Sequence, residues 1–261
     1  MSGTYTLTFG DRAENHKGME IIGTSSKHGL RLDDLQSIQS YFETQGLKCK
    51  CIYLNTLLPD GTKAEDAYIL LVRKGLQLVG SDDILQECSN LIMDKQALMY
   101  GRVVNKKARH NLCMSDYEQE PDIPNGKGRV ISFSSVPYIQ KLRELLQWGN
   151  VVSASLRSHL RCTTPSCALN EVLLQCEINH YYDTNTCYIS YHGDTERKIV
   201  VGARVGESFP LWFQWFLSGK EVGNTYKINL NHGDLYFMSE KTVGFDWKHS
   251  SKYTLRHAAH K

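Results

Sequence analysis

The chain has 261 residues, with 30 Lys or Arg against 28 Asp or Glu and a formal net charge of +2. That balance excludes an extended basic surface, so any nucleic-acid partner has to be met by a local patch. The length allows a substantial buried core, built either as one large β domain or as two smaller units.

Taken in order, residues 4–9 alternate as a strand. Residues 32–45 form an amphipathic helix, started by Asp33 and Asp34, with Leu35, Ile38 and Phe42 on one face and Gly46 as the stop. Residues 49–55 and 67–73 read as strands around a turn at Pro59, Asp60 and Gly61, and residues 82–93 as a second helix. These elements suggest a small α+β N-terminal domain over residues 1–95, with no motif that carries chemistry. The longest apolar runs, such as residues 68–72, are of strand length, so no membrane span is expected. The first residues lack a basic-then-apolar signal segment. The 8 cysteines have no framework spacing, which suggests a reducing, intracellular compartment, cytoplasmic or nuclear.

A second unit, residues 96–261, opens on Tyr100 and a cluster of Arg102, Lys106, Lys107 and Arg109. Basic side chains neutralise phosphates while an aromatic ring stacks on a base, so these four are candidate substrate contacts; the bland alternative is a solvated charged loop. Residues 135–148 form a bracing helix with Pro137 in its first turn. Cys162, Cys167, Cys176 and His180 match no zinc-knuckle spacing and read as ordinary reduced side chains. Short strands follow at 188–191, 198–202, 209–216 and 226–230, the aromatic run 209–216 being buried on both faces.

His192-Gly193-Asp194 ends one of these strands. Residues i and i+2 of an extended segment point to the same side, so His192 and Asp194 can grip one ion. A later histidine, His249 in Asp246-Trp247-Lys248-His249, completes two imidazoles and one carboxylate. That set suits Fe(II) and leaves coordination positions open, whereas a thiolate set would favour a closed zinc site. A second copy, His232-Gly233-Asp234, reads as a tight turn that starts a buried strand and is taken as structural.

The stretch from Asn179 to Ala259 resembles the AlkB-like branch of Fe(II)/2-oxoglutarate dioxygenases. The resemblance rests on Asn179-His180-Tyr181, His192-Gly193-Asp194 with Glu196 and Arg197, residues 230–239, Trp247-Lys248-His249 and the tail from Thr254 through Arg256. It implies a double-stranded β-helix (jelly roll) holding Fe(II), with 2-oxoglutarate and O2 as co-substrates and succinate and CO2 as products. It further implies metal ligands His192, Asp194 and His249, and 2-oxoglutarate contacts from Asn179, Tyr181 and Arg256. The tail lacks a second arginine six positions before Arg256, so Lys252 or Arg204 could share that task. Glu196 and Arg197, beside the ligand pair, join the candidate substrate contacts. The implied substrate is a methylated or otherwise alkylated base in DNA or RNA. A protein side chain or small metabolite is the alternative, and a binding module without turnover a third reading.

Overall fold

β1 (Thr4–Gly10) alternates strictly, with Tyr5, Leu7 and Phe9 on one face and Thr4, Thr6 and Thr8 on the other. A strand with one apolar and one hydroxyl face belongs between a packed core and a polar space. That is its position in the computed structural model, which describes residues 3–147 and 172–261. β1 pairs antiparallel with β10 (Gln175–Tyr181) on one side and β12 (Val200–Gly206) on the other.

The same two-residue logic runs across the sheet around it. β4 (Cys49–Tyr53), β5 (Tyr68–Val72), β15 (Leu235–Met238), β12, β1, β10, β8 (His110–Ser115) and β9 (Val130–Ser132) form one sheet in that order. All its pairings are antiparallel except β8 with β9. One face carries Leu7, Phe9, Leu70, Val72, Ile178, Val201, Ala203 and Phe237. These residues pack against Leu35 and Phe42 of α1 (Leu32–Thr44), Ile84 and Cys88 of α2 (Ser81–Asn90), and Ile139, Leu142 and Leu146 of α3 (Pro137–Gln147). Burying each such aliphatic or aromatic side chain is worth about 1.5–3 kcal/mol.

The other face looks onto a second sheet, ordered β11 (Ile189–His192), β16 (Thr254–Ala259), β13 (Phe209–Leu217) and β14 (Lys220–Leu230). Over part of this interlayer the contacts are apolar. Ile69, Leu71 and Met238 meet Leu211, Phe213, Trp215, Ile228 and Leu255. Toward the β10 side the large sheet turns polar, and the site lies there. The fold is thus mixed α+β, dominated by antiparallel sheets with few helices. No helix among the described residues is long and apolar enough to cross a membrane.

The expected division at residue 95 is not a structural boundary. β1, β4 and β5 belong to the same sheet as β10, β12 and β15, and one core joins Tyr5, Phe42 and Ile84 to Leu112, Ile178 and Phe237. The expected elements themselves are present, including both N-terminal helices and the helix opened by Pro137. Trp148, at the expected end of that helix, and Cys162 and Cys167 lie outside the described residues. Cys176 is buried in the helix-side core, and His180 stacks on Tyr5 with ring centroids 4.2 Å apart.

Candidate metal centre

β11 and β16 run antiparallel with His192 and His257 as direct partners. Their rings, 4.4 Å apart between centroids, both reach Asp194, whose Oδ1 lies 3.5 Å from His192 Nε2 and 3.8 Å from His257 Nε2. One ligand atom from each of the three falls within 4.8 Å of the others. The turn that presents Asp194 is held by its N–H donating to Val243 O (3.1 Å), at the end of α4 (Glu240–Val243). Gly193 is required there: a Cβ would stand 2.2 Å from Gly244 O. His192 Nδ1 is paired with Ser190 O at 2.8 Å, which leaves Nε2 as the lone-pair nitrogen facing the cluster. Burial, helped by the neighbouring His192 and Arg197, pushes the His257 imidazole well below its ordinary pKa. A neutral ring is the form that ligates a metal.

The third member is therefore His257, and this corrects the expectation of His249. His249 lies in the exposed turn before β16, with its N–H donating to Asp246 O. Only the inward positions of β16, Leu255, His257 and Ala259, reach the interlayer. Arg256 points the other way, its guanidinium 4.0 Å from the Phe216 ring centroid and 5.1 Å from that of Trp247, and it does not line the cavity.

The cluster opens into a cavity of about 360 Å3. The large sheet supplies Thr6 and Thr8 of β1, Glu177, Asn179 and Tyr181 of β10, Arg204 of β12 and Tyr236 of β15. Tyr236 lies flat over its cross-strand partner Gly202, where a Cβ would meet the ring at 1.9 Å. Arg204 is 1% exposed, and its Nε and Nη1 have no hydrogen-bond partner; Thr6 Oγ1, on the directly paired residue of β1, has none either. Burial lowers the Arg204 pKa, opposed by Tyr181, Tyr236 and Asp234. A buried guanidinium with two nitrogens lacking acceptors costs free energy unless an anion satisfies it.

Around Glu177, on the same sheet as Arg204, the wall is a charge network. Arg197, 2% exposed, donates to Glu177 Oε2 (2.7 Å) and Glu196 Oε1 (2.9 Å) and stands 3.8 Å from Asp194 Oδ2. Burial would raise the Glu177 pKa, but Arg197 and Arg109 outweigh it and hold the carboxylate below its usual range. Glu14, on the hairpin of β2 (Arg12–Glu14) and β3 (Ile21–Gly23), goes the other way. Burial, with Glu196 and Glu177 nearby, raises it to about 7 against the Gly18 N–H that it accepts.

Asn179 and Tyr181, expected beside the co-substrate, line the cavity, and Asn179 accepts from Arg109 Nε. The basic cluster before the second unit is dispersed. Lys106 is buried and donates to Asn15 (2.7 Å) and Asn111 (2.5 Å), so it cannot meet a phosphate. Arg109 faces into the cavity, while Arg102 and Lys107 are exposed and do not line it. Cover over the cavity comes instead from Glu14, His16 and Lys17 of the β2–β3 hairpin, which the sequence reading had passed over. The second His-Gly-Asp is structural, as expected. Asp234 accepts from Arg73 (2.5 Å), Lys74 N (3.1 Å) and Asn231 N (2.8 Å), and His232 Nδ1 accepts from Gly206 N.

No known family profile matches the chain. It is 41% identical over 258 residues to uncharacterized protein R156 of Acanthamoeba polyphaga mimivirus, a match spanning 98% of this chain and 94% of the viral one. The chain belongs to the family of that mimivirus protein. The match to the mimivirus protein runs nearly end to end and so includes both the N-terminal strands and the His–Asp–His strands.

Proposed function

We propose that the protein is an Fe(II)- and 2-oxoglutarate-dependent dioxygenase. The observation that carries this reading is a neutral-His, Asp, His set sharing a cavity with a buried arginine that lacks an anion. The donor set fits the ion: two imidazoles and one carboxylate suit Fe(II) and occupy one face of it. Arg204 fits the co-substrate, since a guanidinium fork takes a carboxylate through two charged hydrogen bonds, and Thr6 Oγ1 and the Tyr181 phenol are at hand for the same group. Arg204 therefore takes the role first expected of Arg256. Bound iron would supply O2 activation coupled to oxidative decarboxylation of the 2-oxo acid.

The chain's own residues do the rest. Ser190 O sets the tautomer of His192, burial keeps His257 neutral, and Arg197 steadies the Asp194 carboxylate. Tyr236 and Tyr181 wall the cavity against water. The strand orders also support a jelly roll: β10-β1-β12-β15 faces β11-β16-β13-β14, and the chain crosses between the layers from β10 to β11 to β12 to β13. In that reading β1, first in the chain, fills the slot between β10 and β12. The AlkB-like resemblance makes an alkylated base in DNA or RNA the first substrate to try, ahead of a protein side chain or metabolite.

The test is O2-dependent succinate formation by anaerobically Fe(II)-loaded protein given 2-oxoglutarate, alone and with methylated oligonucleotides, peptides and metabolites. Turnover that requires His192, Asp194 and His257 supports the reading. Complete absence of succinate from protein shown to hold Fe(II) rejects it.

A further inference from the structure

At the rim of the cavity three cations gather around one indole. Lys17 Nζ, from the turn of the β2–β3 hairpin, stands 5.8 Å from the Trp247 ring centroid; Lys248 Nζ is at 5.9 Å and the Arg256 guanidinium at 5.1 Å. Three positive groups around one ring raise the local potential and favour an anion there. Among the described residues no carboxylate pairs with any of the three. The nearest in sequence, Asp246, is bound to Lys241 Nζ at 2.7 Å, with Glu65 on the same ammonium at 3.0 Å. Two buried donors at this spot also lack acceptors, Trp247 Nε1 and Arg256 Nε. Lys17 and Trp247 line the cavity itself, so whatever sits here is continuous with the metal centre.

Resting on the oxygenase reading of that centre, we infer that Lys17, Trp247, Lys248 and Arg256 form an anion subsite for a phosphate group of the prime substrate. It is distinct from the deep Arg204 subsite. Phosphate suits the arrangement better than carboxylate because its several oxygens can accept from donors carried by separate elements, Lys17 and Lys248 from two turns and Arg256 from β16. The substrate would then be held by its phosphate at the rim while its oxidisable carbon reaches toward His192 and His257. Two sources share this chemistry: a phosphodiester of a nucleic-acid strand and the monoester of a small phosphorylated molecule.

Calorimetric titration of the full chain with single-stranded oligothymidylate, thymidine 5′-monophosphate and thymidine tests the subsite and separates the sources. At least one phosphate-bearing probe should bind more tightly than thymidine, with an affinity that falls as salt rises. Binding of the oligonucleotide alone assigns the subsite to a strand; binding of the monophosphate assigns it to a small ester. Lys17→Ala with Lys248→Ala should weaken that binding by about tenfold or more, and Lys17→Arg should retain it. Both lysines are exposed, so the variants should stay folded. Phosphate probes no better than thymidine, or a double variant that binds like wild type, overturns the subsite. Co(II) absorption on the same samples reads the His–Asp–His centre separately. Phosphate binding without Co(II) binding would sink the oxygenase reading and leave the subsite standing.

Discussion

Two histidines separated by a turn decide which side chain completes the centre. His257 is 7% exposed and in register with His192, while His249 sits in an exposed turn. His257→Ala should abolish Co(II) binding read by visible absorption, and His249→Ala should leave it intact; the reverse pattern would restore the Trp-Lys-His reading. Arg204 allows a sharper test because its cost and its use have opposite signs. A buried guanidinium with two nitrogens lacking acceptors destabilises the free protein by more than its contacts with the Tyr181 and Phe209 rings restore, and an apolar side chain of similar length removes that cost. Arg204→Met should therefore raise the melting temperature of the free protein while removing 2-oxoglutarate binding measured by calorimetry. A variant that loses stability as well would mean that the guanidinium is structurally bound.

At the scale of elements, β1 ties the two halves of the chain together. Without it β10 and β12 become two unpaired edges in the middle of the large sheet, and Leu7 and Phe9 vanish from the helix-side core. A fragment of residues 96–261, the unit expected from the order of elements, should fail to give a dispersed amide spectrum; a folded, Co(II)-binding fragment would revive the two-domain division. Much of this element list was legible in the sequence because helix and strand periods are local. His192 and Asp194 were legible for the same reason, being two apart in sequence, one at the end of β11 and one in the turn that follows it. The third member of the cluster was not, because Trp247-Lys248-His249 resembles a known motif and masks the plainer signal. That signal is the alternation of residues 254–259, which puts His257 on the face of the buried Leu255 and Arg256 on the other. Lys106 misled for a different reason: its charge counts in a composition, but the Asn15 side chain that draws it inward, together with the nearer Asn111 and Asp94, lies 91 residues away. The register of β1 against β10 and β12 left no local trace at all, since pairing depends on partners far along the chain.

For the molecule as a whole, the polar interlayer makes stability depend on pH. Glu14 is raised from an ordinary 4.5 to about 7 in the folded state, so the fold holds its proton after the unfolded chain has released it. Its contribution is fully present below pH 4.5 and is lost as pH rises through about 7. In metal-free protein, Glu14→Gln should gain stability relative to wild type between pH 5 and 7.5, followed by the urea midpoint. A difference that stays constant over that interval would mean that Glu14 titrates normally.

The central place of β1 also has a consequence for biosynthesis. The Thr4 hydroxyl donates to Val205 O across 201 residues, so β1 leaves the ribosome well before the segment that will hold it. At about 5–20 residues per second that interval is on the order of 10–40 s. During it, Tyr5, Leu7 and Phe9 have no sheet to join and are exposed to any chaperone or aggregating neighbour. Pairings of such long sequence separation also slow folding, because loop closure precedes the contacts that compensate it. Moving residues 3–10 to the far end of the chain through a linker would place the strand beside its partners as they emerge, and nascent chains so rearranged should reach protease resistance sooner after release.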